Sequence, residues 1–83
     1  MKEKKQIPLR GMKTGESGII TSVHAKGELG RRIRDLGLVK GTQIRICGRA
    51  PLNDPVAVIV KGFTVTLRNS EADFINVEVQ RDE

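Results

Sequence analysis

The fold is decided by one segment in the second half of the chain, Pro55-Val56-Ala57-Val58-Ile59-Val60-Lys61-Gly62-Phe63-Thr64-Val65-Thr66-Leu67. Its first six residues are apolar on both faces, which is typical of a central strand. Lys61-Gly62 predicts a tight hairpin turn. Beyond the turn, Phe63, Val65 and Leu67 alternate with two threonines, so these three side chains are expected on the core face of a second strand.

Further strands are predicted on either side of this hairpin, because apolar residues recur there with a period of two. Ile44 and Ile46 share one face of a strand over residues 43–47, with Cys47 on the other face. The remaining two strands are expected over 19–23 and 75–80.

One helix is predicted over residues 28–36, between the first two strands. Leu29, Ile33 and Leu36 stand at i, i+4 and i+7 and form one apolar stripe. Gly37 follows as the expected C-terminal cap. A short helical turn is also expected over 70–73, just before the last strand.

These elements predict a mostly-β fold, a small five-stranded barrel with one inserted α-helix and a short helical turn before the last strand. A barrel removes the exposed strand edges that an open sheet presents. Any edge left open would support self-association. We expect a mobile N-terminal tail over 1–6, a folded domain over 7–80 and a C-terminal tail over 81–83.

Composition limits the function classes. With 83 residues and two aromatic side chains, the chain is expected to form one domain with an Ile, Val and Leu core. Its single cysteine excludes an internal disulfide framework and favours a reducing compartment, so a cytoplasmic location is expected. The net charge of +5 is uneven, since residues 1–49 carry twelve Lys and Arg against four Asp and Glu.

Enzymatic and metal-binding motifs are sparse. His24 and Cys47 stand alone of their kinds in the chain, and nothing in the sequence brings them together. Cys-x-x-Cys and phosphate-binding Gly-rich motifs are missing. We therefore expect no enzyme, no cofactor and no metal site.

A nucleic-acid partner is suggested by the basic half and by the arginines of residues 28–36. Single-strand and RNA-binding barrels, however, stack bases on aromatic side chains, and this chain has no Trp and no Tyr. The same shortage argues against binding of proline-rich peptides. Nucleic acid is therefore not expected as a partner, and a basic nucleic-acid-binding barrel is kept as an alternative.

Three short motifs together resemble the FeoA family, the small ferrous-iron transport protein A. They are Leu-Gly-Leu-x-x-Gly over 36–41, Ala-Pro-Leu-x-Asp-Pro over 50–55 and Leu-Arg-x-x-Glu-Ala over 67–72. The resemblance extends from about residue 8 to residue 79. It implies an SH3-like domain, related to the C-terminal domain of iron-dependent repressors.

The resemblance also implies a function that no catalytic motif supplies. It implies a non-enzymatic accessory protein of bacterial ferrous-iron uptake, located in the cytoplasm and held at the inner face of the membrane through its partner. That partner would be the cytosolic GTPase region of the membrane transporter FeoB, which the protein would bind and regulate. The alternative within this fold is a metal-sensing or repressor-associated SH3-like domain.

Two surfaces are expected to contact such a partner, because the core pattern does not need their side chains. One is the polar face of the predicted helix, and the other is the loop at 50–54. The candidate residues are Arg31, Arg32, Arg34, Leu52, Asn53 and Asp54.

Overall fold

The computed structural model describes residues 2–82. Its strands are β1 (Lys2–Pro8), β2 (Ser17–Val23), β3 (Gln43–Arg49), β4 (Val56–Val60), β5 (Phe63–Leu67) and β6 (Ile75–Asp82). The helices are α1 (Gly27–Asp35) and α2 (Asn69–Ala72). Two 3-10 turns, turn A (Leu9–Gly11) and turn B (Pro51–Asn53), complete the elements.

All six strands belong to one antiparallel sheet in the order β1-β6-β2-β3-β4-β5. The prediction of a mostly-β fold with one inserted helix and a short helical turn before the last strand is confirmed. The strand count differs, because β1 is an additional strand. Within residues 2–82 no ladder joins β1 to β5, so the sheet curls around its core without a hydrogen-bonded seam.

The predicted tails are wrong for the residues that the structure describes. Strand β1 pairs with β6 from Lys2 opposite Asp82 to Pro8 opposite Asn76, so the folded unit covers 2–82 rather than 7–80. The sequence does not mark β1, because an edge strand exposed along most of its length needs no apolar alternation, and its lysines suit such an edge. Of the predicted tails, residues 1 and 83 lie outside the described part of the chain.

The central hairpin forms as predicted, with one exception. Lys61 (φ 51°) and Gly62 (φ 83°) both adopt positive φ, as a two-residue type I′ turn requires. Phe63, however, is 73% exposed and lies outside the core. It pairs with the buried Val60 at the turn end of edge strand β5, where the sheet has a neighbouring strand on one side only.

The core lies on the inner face of the curled sheet and is aliphatic, which confirms the prediction from composition. Leu9 and Met12 close it near turn A, and Ile33 closes it from α1. The strands contribute Ile20, Ile44, Ile46, Val56, Val58, Val60, Leu67, Ile75, Val77 and Val79.

Candidate functional site

Helix α1 is fixed to the sheet by its apolar stripe. Ile33 is fully buried, while Leu29 and Leu36 are half-buried against the core. Gly30 faces the turn before the helix so closely that a Cβ there would lie 2.5 Å from the carbonyl oxygen of Ala25. Only glycine therefore allows α1 to approach this turn.

The predicted C-terminal stop of α1 is confirmed. Gly37 adopts φ 90°, and its N–H donates to the carbonyl of Arg34 at 2.9 Å. The N–H of Leu38 donates to the carbonyl of Ile33 at 3.2 Å, which completes a Schellman motif with an apolar contact between the two buried side chains. Helix α1 is thereby fixed by the close approach at Gly30 and by the Schellman motif at Gly37.

The three candidate arginines of α1 are exposed on the face away from the core. Arg32 forms an ion pair with Glu71 of α2. Arg31 and Arg32 also line a shallow depression of about 450 Å³ with Glu28, Asp35 and Leu36. The helix therefore presents a solvent-facing surface of mixed charge, in which the arginines lie beside Glu28 and Asp35, and the Arg32 ion pair connects it to α2.

The loop at 50–54 differs from the expectation of a free contact surface. Asp54 Oδ1 accepts a hydrogen bond from the backbone N–H of Asn69 at 2.9 Å, and the Asn53 carbonyl accepts one from Asn69 Nδ2 at 3.0 Å. Asn53 and Asp54 thus hold the start of α2. Leu52 remains exposed, with 96% of its surface accessible and φ at 70°.

Helix α2 is where these surfaces meet. Beside the Arg32 contact, Glu71 Oε1 accepts the backbone N–H of Arg68 at 2.9 Å, so Arg68 engages Glu71 through its main chain. Arg10 of turn A donates to Asp73 at 3.1 Å, just after α2. A four-residue helix therefore links turn A, the 50–54 loop and α1.

A cleft of about 480 Å³ opens between these elements. Arg49, at the end of β3, crosses it and donates from Nη2 to the carbonyls of Arg10 (2.7 Å) and Met12 (2.8 Å). No local sequence pattern predicts this cleft, since its residues are far apart in the chain. The lining residues are Arg10, Met12, Arg49, Leu52, Asn53 and Asn69.

A second arginine stabilises turn A from the opposite end of the chain. Arg81 of β6 makes two hydrogen bonds to the Glu16 carboxylate, at 2.9 and 3.0 Å, and a third to the carbonyl of Gly11 at 3.0 Å. The Arg81 guanidinium lowers the pKa of Glu16 below its ordinary value, although burial opposes this. In turn, the hydrogen bond to Glu16 raises the pKa of Arg81.

The lone histidine has polar neighbours that differ from a catalytic relay. His24 Nε2 lies 3.1 Å from Ser22 Oγ and 3.0 Å from Asn76 Nδ2, so one ring nitrogen meets both partners. A Ser-His-acid relay uses the two ring nitrogens separately. Cys47 is exposed, and its neighbours Ile46 and Gly48 flank an irregularity in the β3–β4 register.

Across residues 2–82, no three His, Cys, Asp or Glu side chains gather closely enough to hold a metal ion. Over the same residues, no helix has both the length and the apolar character needed to cross a membrane.

With this geometry in place, comparison with known proteins gives a match to the FeoA domain over residues 7–79. The chain belongs to the FeoA family. It is 35% identical over 71 residues to an Fe(2+) transport protein A/Fe(2+) transporter FeoB fusion protein of Porphyromonas gingivalis. That match covers 86% of this chain and 8% of the fusion protein, so the chain spans a small part of that relative.

Solved FeoA structures share the fold. A FeoA-like protein from Clostridium acetobutylicum is 35% identical, with a TM-score of 0.84 over 95% of this chain and 92% of that one. Stenotrophomonas maltophilia FeoA, solved with zinc and described as a procaryotic SH3 domain protein, is 32% identical, with a TM-score of 0.78 over 90% and 95% of the two chains. The predicted SH3-like fold and FeoA resemblance are thereby confirmed.

A manganese-dependent transcriptional repressor shows the same fold in 43% of its chain. At 19% identity and a TM-score of 0.82 over 93% of this chain, the likeness concerns the fold alone.

Proposed function

We propose that this chain is a non-enzymatic accessory protein of bacterial ferrous-iron uptake that binds and regulates the cytosolic GTPase region of a FeoB-like membrane transporter. The observation that carries the proposal is the Porphyromonas gingivalis relative, whose name joins transport protein A and transporter FeoB in one fusion protein. Fusion keeps two modules at high effective concentration, which suits modules that work together. The Stenotrophomonas maltophilia protein, proposed as a ferrous iron transport activating factor, supports the regulatory part.

The contact surface in this proposal is the exposed face of α1 together with Leu52. Arg31 and Arg34 are exposed and lie off the buried stripe of the helix, so they are available for an acidic surface on the partner. Asn53 and Asp54 already hold α2 and contribute by shaping the loop. Binding to such a transporter would place the protein in the cytoplasm, at the inner face of the membrane.

The test is binding of the full chain to the purified cytosolic GTPase region of a FeoB-like transporter from the same cells. We expect saturable binding, and we expect the double variant Arg31→Glu/Arg34→Glu to bind at least tenfold more weakly, because charge reversal opposes an acidic partner surface. The matched control is Lys2→Glu/Lys13→Glu, which changes the net charge equally outside α1.

Regulation is read from GTP hydrolysis by the same region with and without the chain. A changed rate that the α1 variant abolishes supports the regulatory proposal. Absence of binding at low salt would overturn the partnership. Binding of the chain to nucleic acid, with an affinity that falls steeply as the salt concentration rises, would favour the basic nucleic-acid-binding alternative instead.

A further inference from the structure

The cleft between turn A, the 50–54 loop and α2 has a feature that the fold leaves unused. Asn69 is 8% exposed, and its Oδ1 has no hydrogen-bond partner among residues 2–82. Its Nδ2 donates to the Asn53 carbonyl, which fixes the orientation of the side-chain amide. Asn69 Oδ1 is itself buried, and a buried amide oxygen without a donor costs free energy, so a ligand N–H that reached it from the cleft would remove that cost.

The same cleft carries two guanidinium groups that are held in place. Arg49 uses both hydrogens of Nη2 on the carbonyls of Arg10 and Met12, which leaves its Nη1 and Nε hydrogens for a ligand. Arg10 is positioned by its bond from Nη1 to Asp73 at 3.1 Å. Because these bonds already hold the side chains, a ligand would lose little affinity to ordering them.

We propose that this cleft docks an extended acidic segment of a polypeptide partner. A carboxylate of the segment would accept hydrogen bonds from Arg49 and Arg10, and a main-chain N–H beside it would donate to Asn69 Oδ1. A small inorganic anion supplies the acceptors and lacks that amide donor. A peptide supplies both.

Leu52 gives the segment an apolar contact at the rim of the cleft. Its side chain is 96% exposed, and the 50–54 loop that carries it is fixed by the bonds of Asn53 and Asp54 to Asn69. An exposed aliphatic side chain beside satisfied polar groups is a suitable anchor for a partner to cover. The inference rests on the proposed function in one respect: that function identifies the transporter's cytosolic region as the protein that carries the segment.

The experiment is an NMR titration of the isotope-labelled full chain with a capped peptide of alternating glycine and glutamate. We expect shifts of the Asn69 side-chain amide and of the Arg49 Nε–H at millimolar peptide. The matching glycine-glutamine peptide tests the carboxylate, and inorganic sulfate, which has no hydrogen-bond donor at neutral pH, tests whether an anion suffices. The glutamate peptide should bind about tenfold more tightly than either, because charge-assisted hydrogen bonds are stronger than neutral ones.

Two substitutions with equal charge change locate the binding. Arg10→Gln should weaken the glutamate peptide about tenfold, and Arg31→Gln on α1 should leave it unchanged. Leu52→Ser should leave the isolated peptide unchanged and weaken the whole GTPase region. Since Arg10 and Leu52 are exposed, the fold is expected to tolerate these changes.

The outcomes separate this inference from the proposed function. Equal shifts with sulfate, or none at Asn69 and Arg49 with the glutamate peptide, would overturn the docking site even if the GTPase region binds through α1. Peptide docking in the cleft, with no binding of the GTPase region, would uphold the cleft and overturn the proposed partner.

Discussion

The arginines around turn A and Arg31 and Arg34 of α1 differ in burial and in hydrogen bonding. Arg49 and Arg81 are half-buried and donate to main-chain carbonyls of residues 10–12, and Arg81 also grips Glu16. Arg31 and Arg34 are exposed on the outer face of α1. Arginine suits both settings, because its five rigid donors satisfy carbonyls as well as partner surfaces.

The basic half of the sequence therefore does not form one basic surface, because its arginines lie in two different settings. Residues 10–12 lie between β1 and β2, so no strand ladder supplies donors to their carbonyls. Arginines from two distant strands meet that need. On α1 the helix itself satisfies the backbone carbonyls, so Arg31 and Arg34 are not needed as donors to them and stay exposed. Their role in binding stays a proposal.

The largest expected effect is that of Arg81→Met. It removes the donors to Glu16 and Gly11 while keeping an apolar stem, so we expect a loss of about 1.5–3 kcal/mol in the free energy of unfolding, the range for hydrogen bonds of charged groups. Urea unfolding measures it. The control Arg31→Met should stay within about 0.5 kcal/mol, as surface substitutions do. Equal losses in both variants would remove the distinction between the two groups of arginines.

An intermediate effect is expected from pH. The folded-state pKa of Glu16 is lowered from its ordinary value of 4.5, so its stabilising contribution is full above that value. The contribution is lost as the pH falls through 4.5 towards the lowered folded-state pKa, because the unfolded chain then binds the proton more readily.

Urea unfolding across this pH range should show a shallower acid loss of stability for Glu16→Gln than for the original chain. Glu28→Gln, on the exposed side of α1, removes one carboxylate outside the Arg81 contact and is the matched control. An unchanged slope in Glu16→Gln would mean that other carboxylates account for the acid loss.

The smallest effect is expected from Arg32→Gln. Its pair with Glu71 links α1 to α2, yet more than half of the Arg32 side chain is exposed, and such pairs contribute about 0.2–1 kcal/mol. Thermal unfolding at low and high salt measures it, and salt should reduce the difference from the original chain. A loss as large as that of Arg81→Met would place Arg32 with the structural arginines.

Local patterns predicted most of the fold because they act over a few residues. The α1 stripe, the Gly37 stop and the Lys61-Gly62 turn all depend on neighbours within one or two turns of chain. Phe63 shows the limit of alternation. It pairs with the buried Val60 and shares its face of the sheet, yet it lies at the turn end of edge strand β5 and its side chain is exposed. Strand β1 shows the other limit, since an exposed edge strand carries no apolar signal.

The candidate site was predicted in part. Exposure of the α1 arginines and of Leu52 followed from the core pattern and is confirmed, while their role in binding stays a proposal. Asn53 and Asp54 are exposed as well and also bond to Asn69 in another element, which no local pattern predicts; their role in binding stays a proposal too. The cleft with Arg10 and Arg49 was missed, because no local pattern joins these residues to Asn69.

The sequence alone was enough to predict five of the six strands, the helix, the aliphatic core and the family, since periodicity, glycine positions and motif order can be read along the chain. Which charged side chains form contacts within the fold and which stay exposed was settled by tertiary structure alone. Arg81 reaches Glu16 across 65 residues, and Asn69 reaches Asp54 across 15. Each of these contacts forms only if the folded sheet brings the donor and the acceptor together. Folding sets the distance between the two groups, and no local sequence pattern contains it.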